Sequence, residues 1–510
     1  MNKFRNFMAK GYSEAGASRS KRSLRSFHPA SGSPNEDINA NAQTLRQRSR
    51  MLYMASPVAT SAINTNRTKV VGVGLTLKSS IDIDILRISP DEAKAWQKKT
   101  EAEWRLWSGK KQNCDAIGQN NFKELQQLAL KSWLLSGDVF ALFKRYQNTA
   151  DKPYSLRIHV VEADRIRTPG RAIFGRTDAK AENGNAIYDG VEVDRDGRIV
   201  AYYIHNSYPF EVGSSQDFQR IEAYGKETGL PNILQIMDSE RPDQYRGVPY
   251  LAQVIEPLLQ MRRYTESELM GALIQSFYTA WIKTEANPAE NPFNEADPGD
   301  GSGVPTDNES ESENEYEMGP GTVNVLKPGE SVEFGNPNIP SAGFDLFVKT
   351  VSQLIGAALE IPYEVLMKEF NASYSASRAA LLEAWEAFKM RREWFVTDFC
   401  QPIYEVWLCE AVARGRIKAP GFFDDPLIRD AWCGARWIGP VQGQIDPRKE
   451  VDAAVEQINH GLKTHEQVAR EMGGGDWDAN VTQLKRENEK LKDAGIIPNS
   501  TMAQGGNNAD

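Results

Sequence analysis

A chain of 510 residues is too long for one ordinary core, so roughly two to four structural units are expected. Its composition, 40% hydrophobic and 25% charged, is that of a globular protein, and a net charge of −9 excludes the wrapped, phosphate-neutralising grip of strongly basic domains. No apolar run approaches the ~18 to 20 residues that span a bilayer, and the basic N-terminus lacks an apolar core segment, so no membrane partner and no export are expected, leaving a cytoplasm as the expected compartment.

In chain order, the first fifty residues set ten Lys and Arg against Glu14, Glu36 and Asp37, which reads as a mobile basic arm or a plain disordered terminus. Thr44 to Asn66 reads as helix interrupted near Pro57, and the β-branched run Thr68 to Leu77 as a strand. A helical segment with Trp96, Trp104, Trp107, Leu125, Leu128 and Trp133 on apolar positions leads into the strands DVFALFKRY and SLRIHVVEA. In YDGVEVDRDGRIVAYYIH two alternating strands flank Asp194, Arg195, Asp196 and Gly197, which supply hairpin turn chemistry. Residues 50 to 245 are therefore expected to form a mixed α/β domain.

Leu251 to Lys283 reads as one helix of roughly 50 Å if unbroken, apolar on both sides through Leu258, Leu259, Leu269, Met270, Leu273, Ile274, Phe277 and Trp281. A single copy cannot easily cover such a helix, whereas further copies of itself can. Between Glu285 and Glu317 stand 11 acidic residues and no Lys or Arg, the composition of a solvated acidic loop. Thr322 to Leu326 and Ser331 to Phe334 read as short strands around Lys327 to Glu330. A helical run from Phe344 breaks at Pro362 into the polar stretch YEVLMKEFNASYSASR, and a long amphipathic helix is expected from Ala379 to Ala413. Short helices close the chain at Pro447 to Asn459, Thr464 to Glu471 and Trp477 to Ala494, with Thr464 and Gln467 at capping-box spacing. A disordered end follows from Pro498.

Catalytic and cofactor motifs are missing. There is no GxxxxGK[ST] loop, Gly72 and Gly74 lack the third glycine of a dinucleotide fingerprint, and His465-Glu466 lacks a second His because Ala469 stands there. Asp297, Asp300 and Gly301 do not place oxygens as a calcium loop does. With five histidines and no GxSxG elbow, no Ser, His and Asp constellation forms. Cys114, Cys400, Cys409 and Cys433 form no CxxC pair and read as buried reduced thiols. Leu381, Trp385, Phe388, Phe395 and Phe399 recur at helical spacing, a stripe expected to be core. No cofactor, metal or enzymatic activity is expected. The polar stretch between the two helices, with Lys368 and Arg378, remains as a contact element or an ordinary connection.

Taken together, RSRMLYMASPVATSAINTNRTKVVGVGLTLKSS, SWLLSGDVFALF, VEADRI with GVEVDRDGRIVAYYI, RPDQYRGVPYLAQVI, EIPYEVLMKEFNASYSASRAALLEAW and WIGPVQGQIDPRKEVDAAVEQINHGLKT resemble the lambda-like portal proteins of tailed phages over most of residues 41 to 495. The resemblance implies an α+β portal-type fold: a basic arm at 1–40, an α/β wing at 41–250, stem helices at 251–284 and 343–361, and a β-containing clip with the acidic insert at 285–342. A tunnel loop at 362–378, a long helix with wing and crown connection at 379–439, a helical crown at 440–495 and a tail at 496–510 complete it. It implies a homo-oligomeric ring, a dodecamer, at one capsid vertex of the virion, assembled in the host cytoplasm. Its implied partners are double-stranded DNA in the channel, the terminase large subunit, the major capsid and scaffold proteins and a head-tail connector. Lys368, Asn371, Ser373, Tyr374, Ser375, Ser377 and Arg378 are the implied DNA-channel residues. Twelve copies at −9 carry about −108, the sign that repels a phosphate backbone, so Lys368 and Arg378 are expected to make a few weak contacts that let DNA slide. Another non-enzymatic head-completion or connector component is the alternative; a packaging ATPase would need the absent phosphate loop.

Overall fold

The computed structural model describes residues 21–24, 26, 32–170, 178–209, 211, 217–276, 280–283, 323–326, 343–370, 374–443, 447–473, 475 and 477–494. In chain order the elements are α1 (Pro34–Ala55), α2 (Pro57–Asn66), a π-helical turn (Arg67–Val71), β1 (Thr76–Ser79), α3 (Ile83–Leu86), α4 (Pro90–Ser108), α5 (Lys111–Cys114) and α6 (Phe122–Ser136). Strands β2 (Asp138–Arg145), β3 (Leu156–Glu162), β4 (Asp178–Lys180), β5 (Ala186–Tyr188), β6 (Val191–Val193), β7 (Ile199–His205), β8 (Phe218–Glu222) and β9 (Ile233–Met237) follow. Then come α7 (Ile255–Ser276), β10 (Ala280–Lys283), β11 (Val323–Leu326), α8 (Phe344–Ala358), α9 (Tyr363–Met367) and α10 (Tyr374–Phe395). A second π-helical turn (Val396–Cys400) leads to α11 (Gln401–Ala413), α12 (Pro426–Cys433), β12 (Ala435–Ile438), α13 (Pro447–Asn459), α14 (His465–Gly473) and α15 (Trp477–Asp493). The chain divides into two compact units: Met1–Met51, Ile63–Ala252 and Trp385–Asp510 form the first, and Leu52–Ala62 with Gln253–Ala384 the second.

The first unit holds three of the four sheets found among the described residues. β2 lies between β3 and β9 in one antiparallel sheet, β4 to β8 form a five-stranded meander, and β1 pairs antiparallel with β12. Phe140, Val161, Ile166, Val191, Tyr202, Ile204 and Ile233 are buried in one cluster, each large side chain contributing about 1.5 to 3 kcal/mol on leaving water. The expected hairpin forms between β6 and β7, where Asp194 Oδ1 accepts from the amides of Asp196 and Arg198 and Gly197 takes the left-handed φ of 81°. A second apolar cluster is aromatic: Trp104 sits 5.1 Å from both Phe122 and Trp407 and 5.6 Å from Tyr404, ring centre to ring centre. Trp385, Phe388, Phe395 and Phe399 are buried as expected of core, and all four cysteines are buried free thiols. Capping boxes start α4 at Ser89 and Glu92 and α6 at Asn121 and Glu124, and Thr464 and Gln467 exchange the reciprocal bonds before α14.

Three expectations are corrected in this unit. α1 begins at Pro34, ahead of Thr44, with Ile38 and Asn39 already buried. The run from Thr68 is a π-helical turn as far as Val71, and only Thr76–Ser79 is strand. The reason is tertiary: the Arg392 guanidinium donates to the carbonyls of Lys69 and Val70 at 2.7 and 2.8 Å, satisfying at that helix end the acceptors a strand would have offered to a neighbour. The long helix after the polar stretch is likewise not uniform, since α10 and α11 are joined through the π-helical turn at Val396–Cys400.

The second unit is built on helices. α7 and α8 meet through Tyr264, whose ring centre lies 4.6 Å from Phe347 and 5.6 Å from Phe344, and through Ser352 Oγ, 3.7 Å from Met261 Sδ. The single helix expected over Leu251 to Lys283 is shorter: a 3₁₀ turn occupies Ala252–Val254, α7 ends at Ser276, and β10 pairs in parallel with β11. An aromatic, β-branched tail such as Ala-Trp-Ile-Lys suits strand once a partner is supplied from about forty residues onward. Thr322 to Leu326 thus yields the strand Val323–Leu326, while Ser331 to Phe334 and the acidic run from Glu285 to Glu317 lie outside the described residues. Leu269, Met270 and Leu273 on α7 and Leu346 and Leu354 on α8 are exposed, each by half or more.

Candidate functional site

The polar stretch after α8 is shaped by two left-handed residues. α8 ends in a Schellman arrangement: the amide of Ile361 donates to Gly356 O at 2.9 Å and that of Glu360 to Ala357 O at 3.4 Å, with Glu360 at φ 53° where glycine is the usual occupant. A Cβ at Gly356 would stand 2.5 Å from the Ile361 carbonyl oxygen, so this close approach requires glycine. Pro362 fixes the entry to α9, which ends at Lys368, again left-handed at φ 58°, its amide donating to Glu364 O.

α9 is anchored from inside and displays its end. Val365 and Leu366 are buried, and Ser61 Oγ donates to Leu366 O at 2.7 Å. Tyr363 Oη donates to Glu369 Oε2 at 2.7 Å, a bond that raises the tyrosine pKa, and Lys349 Nζ stands 5.8 Å from its ring centre. Lys368, Glu369 and Phe370 are exposed. Asn371 and Ser373 lie outside the described residues. Tyr374, Ser375, Ser377 and Arg378, expected on a loop, belong to the first turns of α10, with Arg378 half-buried. Residues 363 to 378 carry Glu364 and Glu369 against Lys368 and Arg378, a formal balance of zero.

The first unit contains a constellation that sequence reasoning missed. Arg246, with no exposed side-chain surface, donates from Nε and Nη2 to the two carboxylate oxygens of Asp138 at 2.6 and 3.2 Å, from Nη1 to Asp189 Oδ2 at 2.7 Å, and to the carbonyls of Ile166 and Ala163. Arg46 reaches the same two aspartates at 3.8 and 3.4 Å and bonds Ser136 O, while Arg50 pairs with Asp164 at 2.7 Å. Burial works against every charge here. Asp138 and Asp189 nevertheless raise the Arg246 pKa, Arg246 and Arg46 lower that of Asp138, and burial with the facing Arg246 lowers that of Arg46. Gly247 lies so close to Gly137 O that a Cβ would clash, which brings its amide to Asp138 Oδ2 at 3.1 Å. The one sequence signal was RPDQYRGVPY, a polar run with Gly and Pro punctuation that holds Arg246. The hub joins β2, the β5–β6 turn and α1 as a buried structural tie.

Two further carboxylates are held by geometry. Glu192 has no exposed side-chain surface; burial would raise its pKa, but bonds from Arg220, Asn183, Asn185 and Tyr203 bring it down to about 2. Asp398, in the second π-helical turn, is half-buried, and burial pushes its carboxyl up to about 6. Among the described residues no group of three or more His, Cys, Asp or Glu is placed to hold a metal ion. His465, without a metal partner in its helix, stacks on Trp477 with ring centres 4.6 Å apart.

A two-unit α and β chain with an internally tied sheet region and a helical unit that leaves leucines in water has the character of an assembly subunit. The family description "Phage portal protein, lambda family" matches residues 20–392, and this chain belongs to that family. Its role is accordingly that of a portal protein in a phage virion, a structural component rather than an enzyme. It is 24% identical over 491 residues to portal protein B of Escherichia phage lambda, covering 93% of this chain and 89% of that one. The portal protein of Escherichia phage N15 is 24% identical over 488 residues, covering 93% and 89%. A probable portal protein of Halomonas phage phiHAP-1 is 24% identical over 478 residues, covering 91% and 84%. Among solved structures, the neck of a native gene transfer agent particle computed with C12 symmetry is similar over 86% of this chain and 94% of that one, with 12% identity and a TM-score of 0.39. The neck of an empty particle computed with C6 symmetry gives 84% and 92%, 13% identity and a TM-score of 0.41.

Proposed function

We propose that this portal protein assembles as a ring, a dodecamer, at one capsid vertex and that residues 363 to 378 face the double-stranded DNA passing through it. The observation that carries the ring is the uncovered apolar surface of α7 and α8: Leu269, Met270, Leu273, Leu346 and Leu354 are all at least half exposed, an arrangement that neighbouring copies would relieve. In this reading α7 and α8 are the stem helices, β10 with β11 and the acidic insert form the clip that meets the terminase large subunit and later the head-tail connector, and α13 to α15 form the crown. The sheet region is the wing, toward the major capsid and scaffold proteins.

The channel role of residues 363 to 378 rests on charge and exposure. A formal balance of zero offers DNA no net electrostatic hold, and the exposed Lys368 and Phe370 stand on a short, internally anchored helix end. Lys368 and Arg378 then give weak contacts within an acidic assembly, and Asn371, Ser373, Tyr374, Ser375 and Ser377 complete the candidate lining. Negative-stain microscopy of the purified protein is expected to show rings of about a dozen subunits with a central hole; single particles of one chain would overturn the ring. For the loop, Lys368→Ala with Arg378→Ala is expected to lower DNA retention after filling while leaving the rings intact. Unchanged retention would remove residues 363 to 378 from the channel.

A further inference from the structure

The first unit ends in two helices that its core scarcely holds. α13 buries Ala454, whereas no residue of α14 or α15 is buried, and from Asp478 to Lys490 every residue is exposed. The two helices belong together, because His465 of α14 stacks on Trp477 of α15 with ring centres 4.6 Å apart. The chain reaches them from α13 through Gly461, left-handed at φ 69°. Apolar burial therefore contributes little to their docking.

Charge across a gap takes its place. A cavity of about 610 Å³ lies between these helices and the face made by α4 and the β1–β12 ladder. On that face it is lined by Lys78, Lys94, Lys98 and Arg436 against Glu101 alone, a basic surface in an acidic chain. Two carboxylates of the terminal helices meet it: Asp478 Oδ2 lies 2.8 Å from Lys94 Nζ, and Glu466 Oε1 lies 3.6 Å from Arg436 Nη1. Arg486 of α15 lines the same cavity and works against both. All four paired side chains are about half exposed, so dissolved salt screens the contacts, and each exposed pair shifts an equilibrium by at most about five-fold.

We propose that α14 and α15 form a salt-labile strap, tethered at Lys94–Asp478 and Arg436–Glu466, that swings about Gly461 and bares the basic face beneath it. Seated, Asp478 and Glu466 occupy Lys94 and Arg436; lifted, they leave both cations to the solvent and to anions in it. The strap does not depend on the ring reading, since every contact named lies within the first unit.

A thiol beneath the strap tests it in the full-length protein, whose four native cysteines are buried. Ser80→Cys puts a thiol in the cavity wall, and Lys99→Cys puts one on α4 outside the cavity, at an exposed position. The readout is the rate of modification by an uncharged polyethylene glycol maleimide, taken as the ratio of the first thiol to the second. Raising sodium chloride from about 0.1 M to about 1 M shortens the Debye length from about 10 Å to about 3 Å and is expected to raise that ratio about five-fold. At the lower salt, adding Lys94→Ala is expected to raise it about two- to five-fold, although loss of a nearby cation by itself makes a thiol less reactive. Lys94→Asp with Asp478→Lys is expected to bring the ratio back to its starting value. A ratio that salt does not move, or that Lys94→Ala leaves unchanged or lowers, would overturn the strap, and failure of the charge-reversed pair to restore it would overturn the tether. Lys94 and Asp478 are both exposed and Ser80→Cys conserves size, so folding is not at risk, and the salt series needs no substitution in either tether. A one-chain mass in light scattering would overturn the ring reading and leave the strap standing.

Discussion

The two compact units satisfy their side chains by opposite means. The first closes on itself: its buried Arg246 is met by carboxylates and carbonyls inside the unit, Asp138 and Asp189 among them, and large rings are buried among one another around Trp104. The second, among the described residues, pairs Tyr264 with Phe344 and Phe347 and leaves Leu269, Leu273, Leu346 and Leu354 in water. The difference separates two sources of stability. A buried ion network makes a unit intolerant of change within one chain, while exposed leucines make a unit depend on what surrounds it.

That contrast is most sharply tested at Arg246. Arg246→Ala strips Asp138 of its bidentate partner in a site without water access and is expected to cost about 3 to 5 kcal/mol, seen as a large drop in the denaturant midpoint. A loss under about 1 kcal/mol would mean that Arg46 alone sustains the site and that the first unit is less self-contained than its geometry states.

Next in size is the effect on the leucines of α7. Leu269→Lys with Leu273→Lys should leave the unfolding of a single chain within about 0.5 kcal/mol, because both side chains are already exposed, while abolishing rings in sedimentation velocity. Rings that survive both lysines would show that the exposed face is not what neighbours cover.

The smallest expected effect lies at Asp398. With its folded-state pKa near 6, above the ordinary carboxylate value, the folded chain keeps a proton that the unfolded chain releases, so stability falls as pH rises through about 4 to 6. Asp398→Asn should therefore raise the melting temperature at pH 7 by the equivalent of about 1 kcal/mol, discounted for the solvent that still reaches the group, and change nothing near pH 4. A gain of equal size at both values would place the cause in packing rather than in charge.

Much of the helix and strand content was legible because its signals are local. The Asp194–Gly197 turn, the Thr464 and Gln467 cap and the helix at Pro447–Asn459 each need only residues a few positions apart. The candidate channel segment was legible in position and composition, through Pro362 and the run to Arg378, but not in conformation. α10 starts at Tyr374, so most of the expected loop is helix, and the left-handed Glu360 and Lys368 occupy positions where pattern reasoning expects glycine.

By itself, the sequence determined that this chain carries no nucleotide-binding or hydrolytic motif, that it is acidic, that its later part is helical, and that its motifs are those of a portal protein. Only the tertiary structure decided that the β-branched run after Arg67 is a π-helical turn, that α7 yields to a strand at Ala280, and that Arg246 is the centre of a buried hub. The reason is the range of the forces involved. Capping and hairpin bonds close within four or five residues, whereas Arg246 meets Asp138 across 108 positions and Arg392 meets Val70 across 322, partners that no local window contains.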